Sequence, residues 1–129
     1  MKIISPLYID LPRKTKKDKR VYLNLNSYGN VNSFVNNEVK KAYLEMIREQ
    51  VEGKVIHTPV EIHYQVFKQS KRRLDKMNVI AVTSKYLLDA LTNLKCWEDD
   101  NDDYVKTETI LPTVLDRDNP RVEITIVSI

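Results

Sequence analysis

Glycine is nearly absent from this chain of 129 residues, where Gly29 and Gly53 are the only two. Their scarcity excludes both glycine-rich phosphate loops, the P-loop and the dinucleotide turn, whose backbones need several glycines to approach a phosphate. The single cysteine, Cys96, excludes an internal disulfide and any cysteine-built zinc site. Beside Trp97 it reads as a small packed side chain, not a nucleophile. No run of eighteen apolar residues occurs, so no membrane-spanning helix is expected. Met1-Lys2-Ile3-Ile4-Ser5-Pro6 is too short for the apolar region of a secretion signal, and a cytoplasmic location follows as the expectation.

What is present suits a soluble globular protein: 42% apolar and 30% charged residues, on a length that predicts one domain over 1–129 with a modest core. The formal charge of +3 conceals a division. Five carboxylates, Glu98, Asp99, Asp100, Asp102 and Asp103, fall within six residues, and without them the positive excess would be larger by five. The cations cluster too. Arg13, Lys14, Lys16, Lys17, Lys19 and Arg20 surround a single acid, Asp18, and a second group comprises Lys68, Lys71, Arg72, Arg73 and Lys76. Separate basic clusters suit a polyanion, since each neutralised phosphate releases condensed counterions. They suit a solvated surface equally well.

Hydrophobic periodicity gives the order strand, helix, strand, helix, strand, strand. Leu7–Leu11 is a short strand stopped by Pro12, followed by a mobile loop through the basic stretch and the Asn-rich segment 24–32. A helix capped by Ser33 runs to about Val51 with Gly53 past its end; Val35, Val39, Met46 and the Ala42/Tyr43 pair share a face. Val60, Ile62, Tyr64 and Val66 alternate with Glu61, His63 and Gln65, a half-buried strand with His63 on its polar side. Next comes a helix with an apolar stripe of Met77, Ile80, Ser84, Leu87, Leu91 and Leu94, opposite Asp75, Asn78, Val82, Lys85 and Asp89. Tyr104–Leu111 and Arg121–Ile129 are two strands joined around Asp116–Pro120. The expected fold is therefore α+β: a small mixed or antiparallel sheet covered by two main helices, in the order β-α-β-α-β-β.

The acidic run is either a solvated turn or a cation site. Carboxylates converging from two elements inside a basic protein are the usual composition of a Mg²⁺ site that cleaves phosphodiesters. Asp75, however, opens the second helix and the acids follow it; about 24 residues of helix would span about 36 Å. Convergence needs the sheet to arrange it, or a second subunit to supply one part.

Three stretches in order, R-R-L-D-K-M-N (72–78), K-Y-L-L-D-A-L (85–91) and W-E-D-D-N (97–101), resemble the RusA-like Holliday-junction resolvases of phages and prophages. The similarity extends to the N-terminal strand, the Asn-rich loop and the final strand pair. It implies a RusA-like endonuclease domain: a Mg²⁺-dependent, homodimeric endodeoxyribonuclease that resolves four-way junctions by paired nicks in the host cytoplasm. By position, Asp75 matches the first catalytic aspartate, Asn78 its accompanying asparagine, Asp100 the aspartate completing the metal site with Asp99 beside it, and Lys85 a catalytic lysine. Asp89 is a supporting residue. The DNA footprint falls on Arg13, Lys14, Lys16, Lys17, Lys19, Arg20, Lys71, Arg72, Arg73 and Lys76. Two departures stand out. Met77 occupies the place of a second aspartate, for which Asp99, Asp89 or Asp102 is a candidate substitute, and Lys85 lies about one helical turn farther from Asp75 than the family pattern has it. The alternative implied by Met77 is a non-catalytic DNA-binding or regulatory protein with a decayed site.

Overall fold

The computed structural model describes residues 1–57 and 59–129. Ten elements follow one another: β1 (Lys2–Ser5), β2 (Tyr8–Leu11), β3 (Lys19–Tyr22), α1 (Leu25–Asn30), α2 (Ser33–Val51), β4 (Val60–Lys68), α3 (Lys76–Asn93), β5 (Val105–Ile110), β6 (Val114–Leu115) and β7 (Arg121–Ser128). The expected α+β class holds, as a mixed sheet covered on one face by helices.

Alternation places the sheet. Val60, Ile62, Tyr64 and Val66 of β4, Val122, Ile124 and Ile126 of β7, and Ile3 of β1 are all buried beneath α2 and α3. β4 is central, antiparallel to β7 and parallel to β5 and β6, and β7 carries β1 on its far side. The last two strands foreseen in the sequence are thus not neighbours, because β4 lies between them. The opposite face stays open and carries ion pairs, with Lys2 and Arg121 both reaching Glu123 (2.7 and 2.6 Å) and Arg121 also holding Asp116 at 2.8 Å. On that face the Arg121 guanidinium lies 3.9 Å from the centre of the Phe67 ring.

Beside the main sheet, β2 and β3 form an antiparallel hairpin with Tyr8 opposite Tyr22. The supposed mobile loop is therefore largely ordered structure: Lys19 and Arg20 are strand residues, and part of the Asn-rich segment is a helix. Asn24 caps α1 through Ser27 N–H, and Asn32, not Ser33, caps α2 through Val35 N–H. Asn prefers this position because its short amide oxygen satisfies an N–H that the helix leaves unbonded. Val39, Tyr43, Ile47 and Val51 form the buried face of α2, whereas Met46 is exposed. Gly53, in the left-handed conformation at φ 76°, ends that helix as foreseen. From α2, Gln50 reaches β1: its Oε1 accepts from Ile4 N–H and its Nε2 donates to Ile4 C=O, each at 2.7 Å.

The helix α3 differs from its predicted stripe at both margins. Val82, assigned to the polar face, is buried, and Met77, assigned to the core, is 56% exposed. The sheet and α2 reach under α3 only from Val79 onward, so the first turn projects beyond the core. The truly exposed stripe is Met77, Ala81, Lys85, Asp89 and Asn93, at four-residue spacing.

Candidate nuclease site and nucleic-acid surface

The chain arrives at Asp75 through a basic loop held by its own hydrogen bonds. Lys68 Nζ donates to Arg72 C=O at 3.1 Å, Arg72 N–H to Ser70 Oγ at 3.3 Å, and Asp116 N–H to Lys68 C=O at 2.8 Å. Asp75 then caps α3. Its Oδ1 accepts from the Met77 and Asn78 N–H groups at 3.2 and 3.4 Å, which leaves Oδ2 free on an exposed side chain.

At the other end α3 closes with both bonds of a Schellman cap: Cys96 N–H to Leu91 C=O (2.9 Å) and Lys95 N–H to Thr92 C=O (3.1 Å), with Lys95 left-handed at φ 63°. The reversal buries Cys96 and Trp97, as foreseen for Cys96, whose thiol burial pushes above its ordinary range. Trp97 Nε1 donates to Thr92 Oγ1 at 2.7 Å, and its ring lies 6.1 Å from that of Tyr104. The acidic run is thus strung between two anchored aromatic residues. Inside it, Asp99 Oδ1 accepts from Asp100 N–H (2.9 Å) and Asn101 Oδ1 from Asp103 N–H (2.9 Å).

Burial raises the Asp100 carboxyl above the usual carboxylate range, and the neighbouring charges of Asp99 and then Asp89 raise it further. Asp89, Asp99 and Asp100 therefore share one electrostatic neighbourhood at the C-terminal end of α3. Asp75 does not. Because β4 and β5 run parallel, α3 must return along the full sheet, and Asp75 and Asp89 lie fourteen residues apart, roughly 21 Å along the axis. Lys85 is exposed between them, roughly 15 Å from Asp75 by the same rise. Among the described residues no three His, Cys, Asp or Glu side chains group closely enough to hold a metal ion. The donor chemistry nonetheless suits a hard cation, since Mg²⁺ commonly takes one or two carboxylates and completes its shell with water and substrate phosphate.

The basic residues divide into engaged and free. Arg20 is bound to Asp10 (2.9 and 3.2 Å) and stacked on Tyr8 at 3.8 Å, while Arg13 Nε donates to Lys17 C=O (2.8 Å) across the hairpin loop. Lys76 Nζ reaches Leu111 C=O at 3.5 Å. Lys14, Lys16, Lys17, Lys19, Lys71, Arg72 and Arg73 are exposed and form no ion pair among the described residues. His63 stays on the outer face of β4, 3.5 Å from Glu61.

Two features escaped the sequence. Tyr64 OH and Ser84 Oγ both donate to Glu108 Oε1 (2.7 and 3.1 Å), tying β4, α3 and β5 together; burial, then Glu108, holds the Tyr64 hydroxyl protonated far above its usual range. A concavity also opens between the β2–β3 hairpin and the loop before α3. The alternation in Y-I-D-L and K-R-V-Y was the available signal for that hairpin. No described helix is long and apolar enough to cross a membrane.

Compared with known families, residues 6–127 match the family described as Endodeoxyribonuclease RusA. No curated protein matches the chain.

Proposed function

The chain belongs to the RusA endodeoxyribonuclease family, and from that premise we propose that it is a Mg²⁺-dependent, structure-selective endodeoxyribonuclease that resolves four-way junctions and other branched DNA by paired nicks, working as a homodimer. The observation that carries the reading is the division of charge: carboxylates crowded at Asp89, Asp99 and Asp100 in a protein whose exposed cations at 14–19 and 71–73 form no ion pair among the described residues. Crowding that raises the pKa of a carboxyl is relieved by a cation, and exposed lysines and arginines hold the phosphates that bring the scissile bond to it.

Asp99 and Asp100 would hold the ion, with Asp75 through its free Oδ2. When bound, Mg²⁺ polarises the phosphate and lowers the pKa of a bound water. Asp75 is too far from the acid pair within one protomer, so a two-fold dimer with its α3 helices antiparallel supports the reading best: Asp75 of each protomer then meets the acid pair of the other. A junction is itself two-fold and must be cut twice, which matches one such site per subunit. Lys85, midway along the exposed stripe, faces phosphate in this arrangement and not the ion.

Two observations favour a second reading, a non-catalytic DNA-binding or regulatory protein: Met77 stands where the family pattern has an acid, and among the described residues no three acidic side chains group closely enough to hold a metal ion. A four-way junction incubated with wild type and Asp100→Asn, with and without Mg²⁺, decides. Paired nicks by the wild type alone, and only with Mg²⁺, are expected. Tight junction binding without nicking at millimolar Mg²⁺ establishes the second reading.

A further inference from the structure

The concavity between the hairpin and the α3 entry loop has a volume of about 370 Å³, within the size range of small-molecule sites. Tyr8 and Tyr22 line one side, and Leu74, directly before Asp75, lines another. Tyr22 is 48% exposed and Leu74 39%, large apolar surfaces left uncovered. Tyr8 is fixed by edge-to-face contact with Tyr22 (5.7 Å) and by Arg20 over its ring, so the aromatic wall is rigid. Arg72 and Arg73 are exposed lining residues with no ion pair among the described residues, and no lining residue is acidic. The Gln69 amide and the Asn24 Nδ2, whose companion oxygen is used in capping α1, offer polar groups at the edge.

Flat apolar walls, a cationic rim and a few amides are the composition that receives a nucleobase with its flanking phosphates. A paired base inside a duplex cannot present its faces to such a wall, whereas a base next to a branch is already the least stacked and costs least to extrude. We propose that this cavity is a nucleobase subsite: it takes one base splayed out at the branch point, stacked against Tyr22 and Leu74, with Arg72 and Arg73 on the adjoining phosphates. The inference rests on the branched-DNA reading and deepens it, because a base held beside Leu74 places its own backbone next to Asp75. Junction recognition then includes an unpaired base and does not depend on arm geometry alone.

The test is a double cycle on intact protein. Binding is measured for four-way junctions carrying one abasic nucleotide, scanned across the branch positions, and for a single-stranded oligonucleotide with one abasic nucleotide. The proteins are wild type, Tyr22→Ala, Tyr22→Phe and Leu74→Asn, each checked for folding by its melting temperature. In wild type and Tyr22→Phe, loss of one particular base should weaken junction binding by roughly 5- to 150-fold, the range of one aromatic–base stack. In Tyr22→Ala and Leu74→Asn that penalty should shrink, because the stack is already gone. No penalised position in wild type on either substrate overturns the subsite, as does a penalty that both pocket variants retain. A cycle that appears on single strands while junctions are neither preferred nor cut overturns the branched-DNA reading and keeps the pocket.

Discussion

Asp75 carries two roles that ordinary mutagenesis would confuse, and two substitutions separate them. As the cap of α3 it accepts from Met77 and Asn78 N–H, and Asp75→Ala leaves Met77 N–H without a partner from the chain and Asn78 N–H with only its bond to the Asp75 C=O at 3.1 Å. Loss of an Asp cap costs about 1 kcal/mol. With an unfolding entropy of about 2.1 cal/mol/K per residue, this 129-residue domain unfolds with about 0.27 kcal/mol/K, so Asp75→Ala should melt about 4 °C lower. Asp75→Asn keeps an equally good cap and forfeits only the charge at the helix N-terminus, worth about 0.3–1 kcal/mol at an exposed site. Asp75→Ala forfeits that charge and the capping oxygen besides, so Asp75→Asn should melt between it and the wild type. Both should lose Mg²⁺-dependent nicking while junction binding persists, since a ligand charge is removed and no phosphate contact. Calorimetry beside a nicking assay reads the two effects independently. Equal melting temperatures for the Ala and Asn variants would refute the capping argument, and Mg²⁺-dependent nicking by Asp75→Asn would refute the site.

Met77→Asp should cost no stability, because position 77 is exposed in the first turn of α3, where an acid is favoured by the helix dipole; a fall of several degrees in melting temperature would mean that the side chain is packed after all. Mixing Asp75→Asn and Asp100→Asn subunits should restore one functional site per mixed dimer and single-strand nicking, because one composite site then holds both native acids; no rescue would place Asp75 and Asp100 in the same protomer's site. Replacing Lys14, Lys16, Lys17 and Lys19 by Gln while sparing Arg20 should flatten the salt dependence of junction binding by about 0.9 in log–log slope per lost phosphate contact, and an unchanged slope would make that loop a solvated surface. The Arg121 hydrogen bond lowers the Asp116 carboxyl, and Lys2, then Arg121, lower Glu123. Stability from these acids is present above their unfolded values of 3.8 and 4.5 and is lost as pH falls through the lower folded ones. The melting-temperature gap between wild type and Arg121→Gln should therefore narrow from neutral pH to about pH 3, and a constant gap would refute it.

Strong periods were legible and weak ones were not. The alternation in β4 and β7 and the middle of the α3 stripe, Ile80, Leu87 and Leu91, follow from burial against a single large core, so sequence and structure agree there. β1 is four residues long, and Lys2 pairs with Thr125 from the far end of the chain; no local pattern announces so distant a partner. Lys19-Arg20-Val21-Tyr22 buries only Val21 and thus reads as a charged loop. In α1 no residue is buried, and it is held by its Asn24 cap and by Tyr28 against Tyr86 at 6.2 Å. Met77 fits the helical period of the core but lies one turn before the core begins. The carboxylates were visible by composition and order. Their grouping was not, because it depends on the parallel pairing of β4 with β5, which sends the two ends of α3 to opposite ends of the sheet.

The two hydrogen bonds from Gln50 to the Ile4 backbone have a consequence for how copies of this protein can meet. A peptide-like amide there occupies the ladder positions that an incoming strand would need, so the β1 border is stoppered by a side chain from the protein's own helix. Extension on that side would require expelling the amide first, a barrier against the runaway strand stacking to which bare sheet margins are prone. The other margin, β5, has no such stopper among the described residues and alternates charged and β-branched side chains in Val105-Lys106-Thr107-Glu108. Strand addition to the main sheet is thus left to one border, and a sheet with a single free border favours pairs over fibres.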